Sequence, residues 1–157
     1  MKPRYTIDTC SINDFLQPGR AYDKRVFNSP WEHIDNCCDS GEIVSHQEVY
    51  EEIILGGVPE VIKWAKSKRD FFKDYNLPAE EEFIRKIGTK FPNFLYQKKD
   101  TVAHADPWLV AQAYLNKLTI ITSEKGNNQS SIPFIANQFS VKTLDIVSFL
   151  KMRKVKI

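Results

Sequence analysis

The sequence has 157 residues, which suits one hydrophobic core and therefore a single domain over residues 1–157. Apolar residues make up 42% and charged residues 27%, a balance typical of a globular domain and not of a disordered or membrane-embedded chain. The net charge of +2 is too small to indicate nucleic-acid binding by itself. Because no long apolar run and no signal peptide are seen, we expect a cytoplasmic protein.

The first part of the sequence predicts a strand followed, after a polar turn, by a helix. Residues 4–7 are prone to form a β-strand, and Asp8 stands at the carboxyl end of that strand. Ser29 is a suitable N-cap for a helix over about residues 30–39, and Gly41 is placed to end this helix.

A second strand-to-helix unit follows directly. Residues 42–45 have the pattern of a strand, and Ser45 with Glu48 has the spacing of a capping box at the start of the next helix. This helix is predicted to stop at Gly56 and Gly57.

The remaining elements continue the alternation of helices and strands. They are predicted helices at 58–72 and 78–87, a helix opening at Asp106, a strand at 118–122, a strand at 139–142 and a closing helix at 144–151. This order predicts an α/β fold with a largely parallel central sheet flanked by helices. In such sheets a ligand lies beyond the carboxyl ends of the strands.

Acidic residues occur where the predicted strands end. Asp8 ends the first strand, Glu48 or Glu52 lies in the helix after the second, Asp106 begins a helix, and Glu124 follows the strand at 118–122. Carboxylates brought close together repel each other and raise each other's pKa, so divalent cations normally stabilise such a group. Mg²⁺ or Mn²⁺ suits these oxygen ligands and could activate water for phosphodiester hydrolysis.

Each acid also has a purely structural interpretation. Asp8 could form a turn or cap a helix, and Glu48 could serve only the capping box. Asp106 precedes Pro107 and is a suitable N-cap, while Glu124 could simply belong to a loop. The four acids indicate a site only through their joint placement at the ends of successive strands.

Four short motifs carry a resemblance to a known family. They are residues 5–12, 45–53, 105–113 and 120–125, and their order and spacing resemble the motifs of PIN domains, in particular the PIN-like subgroup DUF4411. Such proteins resemble VapC-type toxins. The resemblance implies a magnesium-dependent endoribonuclease, commonly a toxin held by a cognate antitoxin, with Asp8, Glu48, Glu52, Asp106 and Glu124 as catalytic and metal-binding candidates.

Two positions depart from the family pattern or leave it open. Glu124 replaces the usual fourth aspartate and is one methylene longer. The second acid is either Glu48 or Glu52, which lie one turn apart on one helix face, with Glu51 as a third candidate. Ser11 and Thr122 are candidates for orienting the carboxylates by hydrogen bonds.

Further expectations concern partners. RNA is expected to contact Lys63, Lys66, Arg69, Lys98 and Lys99, and a homodimer is possible. His46 and His104 stand beside the motif acids and are interpreted as surface residues.

Two other functions stay open. One is a non-catalytic PIN-like module that binds a protein or RNA. The other is a phosphatase or phosphoacceptor domain with Lys125 as its lysine.

Overall fold

Five short parallel strands form the centre of the structure, a computed structural model that describes residues 1–95 and 104–156. The strands are β1 (Tyr5–Ile7), β2 (Ile43–His46), β3 (Phe72–Lys73), β4 (Thr119–Ile121) and β5 (Thr143–Leu144). Their order is β3-β2-β1-β4-β5, and every neighbouring pair is parallel. The predicted α/β fold with a parallel sheet is confirmed.

Helices connect the strands and flank the sheet. They are α1 (Thr9–Leu16), α2 (Asn28–Ser40), α3 (Gln47–Gly56), α4 (Pro59–Ser67), α5 (Ala79–Lys90), α6 (Pro92–Leu95), α7 (Asp106–Asn116), α8 (Ile132–Gln138) and α9 (Ile146–Met152). None of these helices is long and apolar enough to span a membrane, a finding that covers only the described residues.

The central strand explains why the strand-end residues meet. β1 lies between β2 and β4, and Thr6 is opposite Val44 on one side and Ile120 on the other. All residues of β1 and β2 are buried, as expected for parallel strands covered on both faces. The carboxyl ends of β2, β1 and β4 therefore lie side by side.

A buried polar residue fixes α7 on this sheet. Gln112 of α7 accepts a hydrogen bond from the Thr6 hydroxyl at 2.7 Å and donates to the backbone carbonyl of Ser45 at 2.9 Å. These bonds join α7 to both β1 and β2. They thereby hold the first residue of α7, Asp106, relative to the strand ends.

The predicted helix over 58–72 is too long. α4 ends at Ser67, and a 3₁₀ turn (Arg69–Phe71) leads into β3. Phe72 of β3 pairs with Ser45 of β2, and Phe71 and Phe72 are both buried. The aromatic side chains are buried against the sheet, which overrides the helical spacing read from the sequence.

The last predicted strand is also misplaced. Ser140 has a left-handed φ of 59° just after α8, and β5 begins three residues later at Thr143. Helix α1 follows β1 where the sequence indicates only a polar turn, and α8 lies in a segment for which no element is predicted.

The predicted N-cap of helix α2 is wrong, whereas the predicted end of this helix is confirmed. Phe27 takes the N-cap position of α2, so Ser29 lies inside the helix. Gly41 follows Ser40 with a φ of 84°, a left-handed conformation that glycine adopts without a side-chain clash.

Candidate metal centre

Asp8 is a buried carboxylate at the end of β1. One of its oxygens, Oδ1, accepts the backbone N–H of Ser11 at 2.9 Å, so Asp8 is the N-cap of α1. The other, Oδ2, accepts the Thr122 hydroxyl at 2.6 Å. Burial raises the pKa of Asp8 from 3.8 to about 6, although the hydrogen bonds from Thr122 and Ser11 act to lower it. The two residues expected to orient the carboxylates both contact Asp8.

Glu124 lies near Asp8 but has a structural bond of its own. Its Oε2 accepts the backbone N–H of Ile132, the first residue of α8, at 2.7 Å. Its negative charge also acts to raise the pKa of Asp8. Glu124 therefore combines a contact that holds α8 with an electrostatic effect on Asp8.

A further acid, Asp14, joins this region. The Ser123 hydroxyl donates to Asp14 Oδ2 at 2.6 Å, and the Ser123 and Ser11 hydroxyl oxygens are 3.3 Å apart. Asp14 was not among the predicted site residues. It lies in α1, where the sequence indicates only a polar turn after the first strand, so no strand-end position points to it.

A cavity of about 620 Å³ opens beside these groups. Asp14, Thr122 and Glu124 line it, together with Lys125. Lys125 is exposed. The lysine proposed for a phosphoacceptor site thus lies in the wall of an open cavity.

Glu52 of α3 contacts the start of two other helices. Its Oε1 accepts the hydroxyl of Thr9 at 2.6 Å, and its Oε2 accepts the backbone N–H of Ala105 at 2.9 Å. Thr9 is the residue after Asp8, and Ala105 is the residue before Asp106. Glu52 therefore connects the segments that carry the first and third predicted acids.

Three side chains form a possible metal-binding cluster. Glu52, His104 and Asp106 each offer one ligand atom, and these atoms all lie within 4.8 Å of one another. All three residues are partly exposed. Two carboxylates and an imidazole at this range could hold one divalent cation, which would offset the repulsion between the acids.

The capping interpretation of Asp106 is wrong. The N-cap of α7 is Ala105; Asp106 is the first helical residue and supplies the acidic group of the first turn. His104 was interpreted as a surface residue. Its position two residues before Asp106 is the sequence signal that could have identified it.

Glu48 lies outside the cluster. Its Oε1 accepts the hydroxyl of Tyr75 at 2.5 Å, and burial together with this bond raises the pKa of Tyr75 above its usual value. Glu51, the third candidate, accepts a hydrogen bond from Gln47 at 2.7 Å. Of the candidates for the second acid, the structure brings Glu52 together with Asp106.

The predicted capping box of Ser45 and Glu48 is wrong. The N-cap of α3 is His46, whose Nδ1 accepts the backbone N–H of Glu48 at 3.0 Å. Ser45 instead donates its hydroxyl to the carbonyl of Ile7 at 2.7 Å. His46 is fully buried, in contrast to the surface position expected for it.

The predicted RNA-binding residues lie in different places. Lys63 is exposed on α4. Arg69 stacks over the Tyr50 ring at 4.1 Å and donates to the side chain of Gln47 at 2.9 Å. Arg69 therefore lies against α3, the helix that carries Glu52.

Lys66 is not brought to the acidic groups. It lines a depression that Met1, Gly41 and Arg69 also line, and none of the predicted acids lines this depression. Lys98 and Lys99 lie outside the described residues.

The fold and the cluster define an α/β domain with a candidate metal centre at the carboxyl edge of its sheet. The sequence matches the family described as "Domain of unknown function (DUF4411)" over residues 5–157, and the chain belongs to this family. No protein of curated function matches the sequence.

Proposed function

We propose that the protein is a divalent-metal-dependent endoribonuclease of the PIN type. The observation that carries this proposal is the meeting of Glu52 and Asp106, whose ligand atoms lie within 4.8 Å of each other beside His104. Acids from the second and third motifs are thus adjacent, as the resemblance to PIN domains implies.

The position of Asp8 supports the same site. Asp8 ends the central strand, and the next residue, Thr9, bonds to Glu52. Because the carboxylate is buried, its charged form is disfavoured in the metal-free protein, and a nearby cation would stabilise it. We assign Glu52 and Asp106 as the acids that bind the cation directly, and Asp8 as a third acid of the site that is not one of the grouped ligands.

The chemistry follows from the assigned residues. A divalent cation held there would supply a water of lowered pKa and would neutralise charge on a phosphodiester. Glu124 adds negative charge near Asp8 while its other contact holds α8. We place Glu48 outside the reaction because it is bonded to Tyr75.

RNA as the substrate and a protein antitoxin as the partner follow from the resemblance to PIN-domain toxins. Arg69 and Lys63 are the proposed contacts for the RNA backbone, since Arg69 packs on α3 and Lys63 is exposed on the neighbouring α4.

The test is cleavage of labelled single-stranded RNA with Mg²⁺ or Mn²⁺ and with EDTA. We expect cleavage only with metal, and a loss of about 100-fold or more for Asp8→Asn, Glu52→Gln and Asp106→Asn. The matched control is Glu48→Gln, one helical turn from Glu52, which is expected to retain activity. Equal cleavage by wild type and the three variants would show that another site or a contaminant acts.

A non-catalytic binding module is the second candidate function. The observation that favours it is that Asp8 and Glu124 both make structural bonds at helix starts, to Ser11 and Ile132. This candidate predicts that the protein binds RNA or a protein without cutting RNA under any metal condition. Unchanged RNA binding by Asp8→Asn together with no cleavage by wild type would support it.

A further inference from the structure

His104 is placed to contribute a nitrogen atom to the cluster with Glu52 and Asp106. One of its ring nitrogens is the third ligand atom within the 4.8 Å group. The two nitrogens differ in their surroundings, and this difference decides which of them can bind a cation.

The Nε2 atom of His104 is already engaged. It lies 2.8 Å from the backbone carbonyl oxygen of Phe94. A carbonyl oxygen only accepts hydrogen bonds, so Nε2 must carry the hydrogen. In the neutral ring the lone pair is then on Nδ1.

The Nδ1 atom is buried and has no hydrogen-bond partner among residues 1–95 and 104–156. A buried acceptor without a partner costs free energy, so such an atom in a native protein calls for an explanation. A bound cation would use this lone pair. The same ring would then show the arrangement typical of metal-binding histidines, with one nitrogen on the metal and the other donating to a carbonyl.

We propose that Nδ1 of His104 binds the cation together with Glu52 and Asp106, and that the site consequently prefers a first-row transition metal such as Mn²⁺ to Mg²⁺. This inference deepens the metal-dependent function proposed above. It rests on that function only for the role of the metal, because binding of the metal by His104 can be tested without any activity. It also changes the expected cofactor, since the acids alone had indicated Mg²⁺, with Mn²⁺ as the alternative.

Hydrogen bonds hold the three candidate ligands in fixed positions relative to one another. The N–H of Ala105, the residue between His104 and Asp106, donates to Glu52 Oε2 at 2.9 Å, and the Thr9 hydroxyl donates to Glu52 Oε1 at 2.6 Å. Each oxygen keeps a further lone pair for a cation. One hydrogen bond thus fixes the two ligands of segment 104–106 relative to the ligand of α3.

The donor set explains the preferred metal. Mg²⁺ favours all-oxygen surroundings and keeps several waters, whereas first-row transition metals accept an imidazole ligand more readily, with affinity that rises from Mn²⁺ through Co²⁺ to Ni²⁺. Two carboxylates and one imidazole leave positions open for water and substrate, as a catalytic site requires.

The direct experiment needs no variant. Electron spin-echo spectroscopy of the full chain with Mn²⁺ detects a nitrogen atom bonded to the ion, and incorporation of ¹⁵N-histidine changes that nitrogen signal. We expect a histidine nitrogen signal that shifts with the label. Mn²⁺ bound without any histidine nitrogen signal would overturn the proposal.

Calorimetric titration with Mn²⁺ and with Mg²⁺ identifies the residue. We expect His104→Ala to weaken Mn²⁺ binding by about 10- to 100-fold and to reduce the preference for Mn²⁺ over Mg²⁺. The matched control is His33→Ala on α2, which should bind Mn²⁺ like wild type. Unchanged Mn²⁺ affinity in folded His104→Ala would overturn the proposal; if that variant does not fold in EDTA, the labelled wild type decides.

The metal-binding experiments and the RNA cleavage assay can fail independently, so they distinguish this proposal from the proposed ribonuclease activity. A histidine-bound Mn²⁺ in a protein that cuts no RNA would support the metal site and contradict the enzyme. Metal-dependent RNA cleavage without a histidine nitrogen signal would support the enzyme and contradict the histidine ligand. Mn²⁺ affinity unchanged by Glu52→Gln and Asp106→Asn would contradict both.

Discussion

Among single residues, Asp8 has a carboxylate whose charged form is unfavourable in the metal-free folded protein. Its carboxylate is 3% exposed, and its pKa is raised from 3.8 to about 6. The folded protein therefore binds a proton more tightly than the unfolded chain does. The contribution of Asp8 to the free energy of unfolding is fully present below about pH 4 and is lost as the pH rises through about 6.

We expect Asp8→Asn to stabilise the metal-free protein at neutral pH. The amide can still accept the Ser11 N–H and can donate to the Thr122 hydroxyl, and it carries no charge to bury. The shift from 3.8 to about 6 corresponds to on the order of 3 kcal/mol as an upper limit. Urea unfolding in EDTA at about pH 8 and about pH 4 measures the effect, which should vanish at the lower pH.

The control for this substitution is Asp70→Asn, which changes an exposed carboxylate. It should leave the unfolding free energy nearly unchanged at both pH values. If Asp8→Asn is less stable than wild type at the higher pH, the buried charge is not the dominant effect at this position.

At the scale of elements, helix α3 carries Glu52 and depends on how its two ends are made. At its start, His46 accepts the Glu48 N–H through Nδ1, so its Nε2 carries the hydrogen that is donated to Glu80 at 3.0 Å. His46 and Glu80 are both buried. At its end lie two adjacent glycines, Gly56 and Gly57, of which only Gly57 is closely packed.

We expect alanine to destabilise the protein at Gly57 but not at Gly56. A Cβ on Gly57 would lie 2.5 Å from the backbone oxygen of Ile53, whereas a Cβ on Gly56 would meet nothing within 4 Å. Gly57→Ala should lower the unfolding free energy by about 1–3 kcal/mol, as overpacking does. Gly56→Ala should leave it unchanged or raise it by up to about 1 kcal/mol, because alanine favours the helix.

Urea unfolding of both variants beside wild type checks this pair. Because the glycines are neighbours, each variant is the control for the other. Equal effects of the two substitutions would mean that the end of α3 adjusts and that the close approach of Gly57 to Ile53 has no energetic weight.

At the scale of the whole molecule, Glu42 joins the two ends of the chain. It lies just before β2 and binds Arg4, which precedes β1, at 3.3 Å, and also Arg153, which follows α9. Burial acts to raise the pKa of Glu42, but the hydrogen bond and charge of Arg153, together with Arg4, lower it below the usual 4.5. This contribution to stability is present above about pH 4.5 and is lost as the pH falls through the lowered pKa.

We expect Glu42→Gln to lower the unfolding free energy by about 1–2 kcal/mol at neutral pH, because a charged hydrogen bond becomes a neutral one. Below the lowered pKa the wild-type carboxyl is protonated, so the difference should shrink. Urea unfolding at neutral and acid pH measures it, with Glu32→Gln on the exposed face of α2 as the control. A difference that persists in acid would point to packing instead of charge.

Much of the architecture could be predicted from local patterns. The strand ending at Asp8, the strand before α3, the end of α2 at Gly41 and the α/β class are all recovered. These features depend on residues that are neighbours in the chain. β3 was missed and the last strand was misplaced, because both form through burial and pairing with distant residues.

The candidate site shows the same division. The sequence alone placed Asp8 at a strand end, Glu52 in the helix after the second strand and Asp106 at a helix start, because strand and helix signals are local. It left Glu48 and Glu52 equivalent, since both lie on one face of α3. Only the tertiary structure decided between them: Tyr75 binds Glu48, while Thr9 and Ala105 hold Glu52 beside Asp106. His104 likewise becomes a candidate ligand only when the fold buries Nδ1 and bonds Nε2 to Phe94, because contacts between distant segments have no local signature.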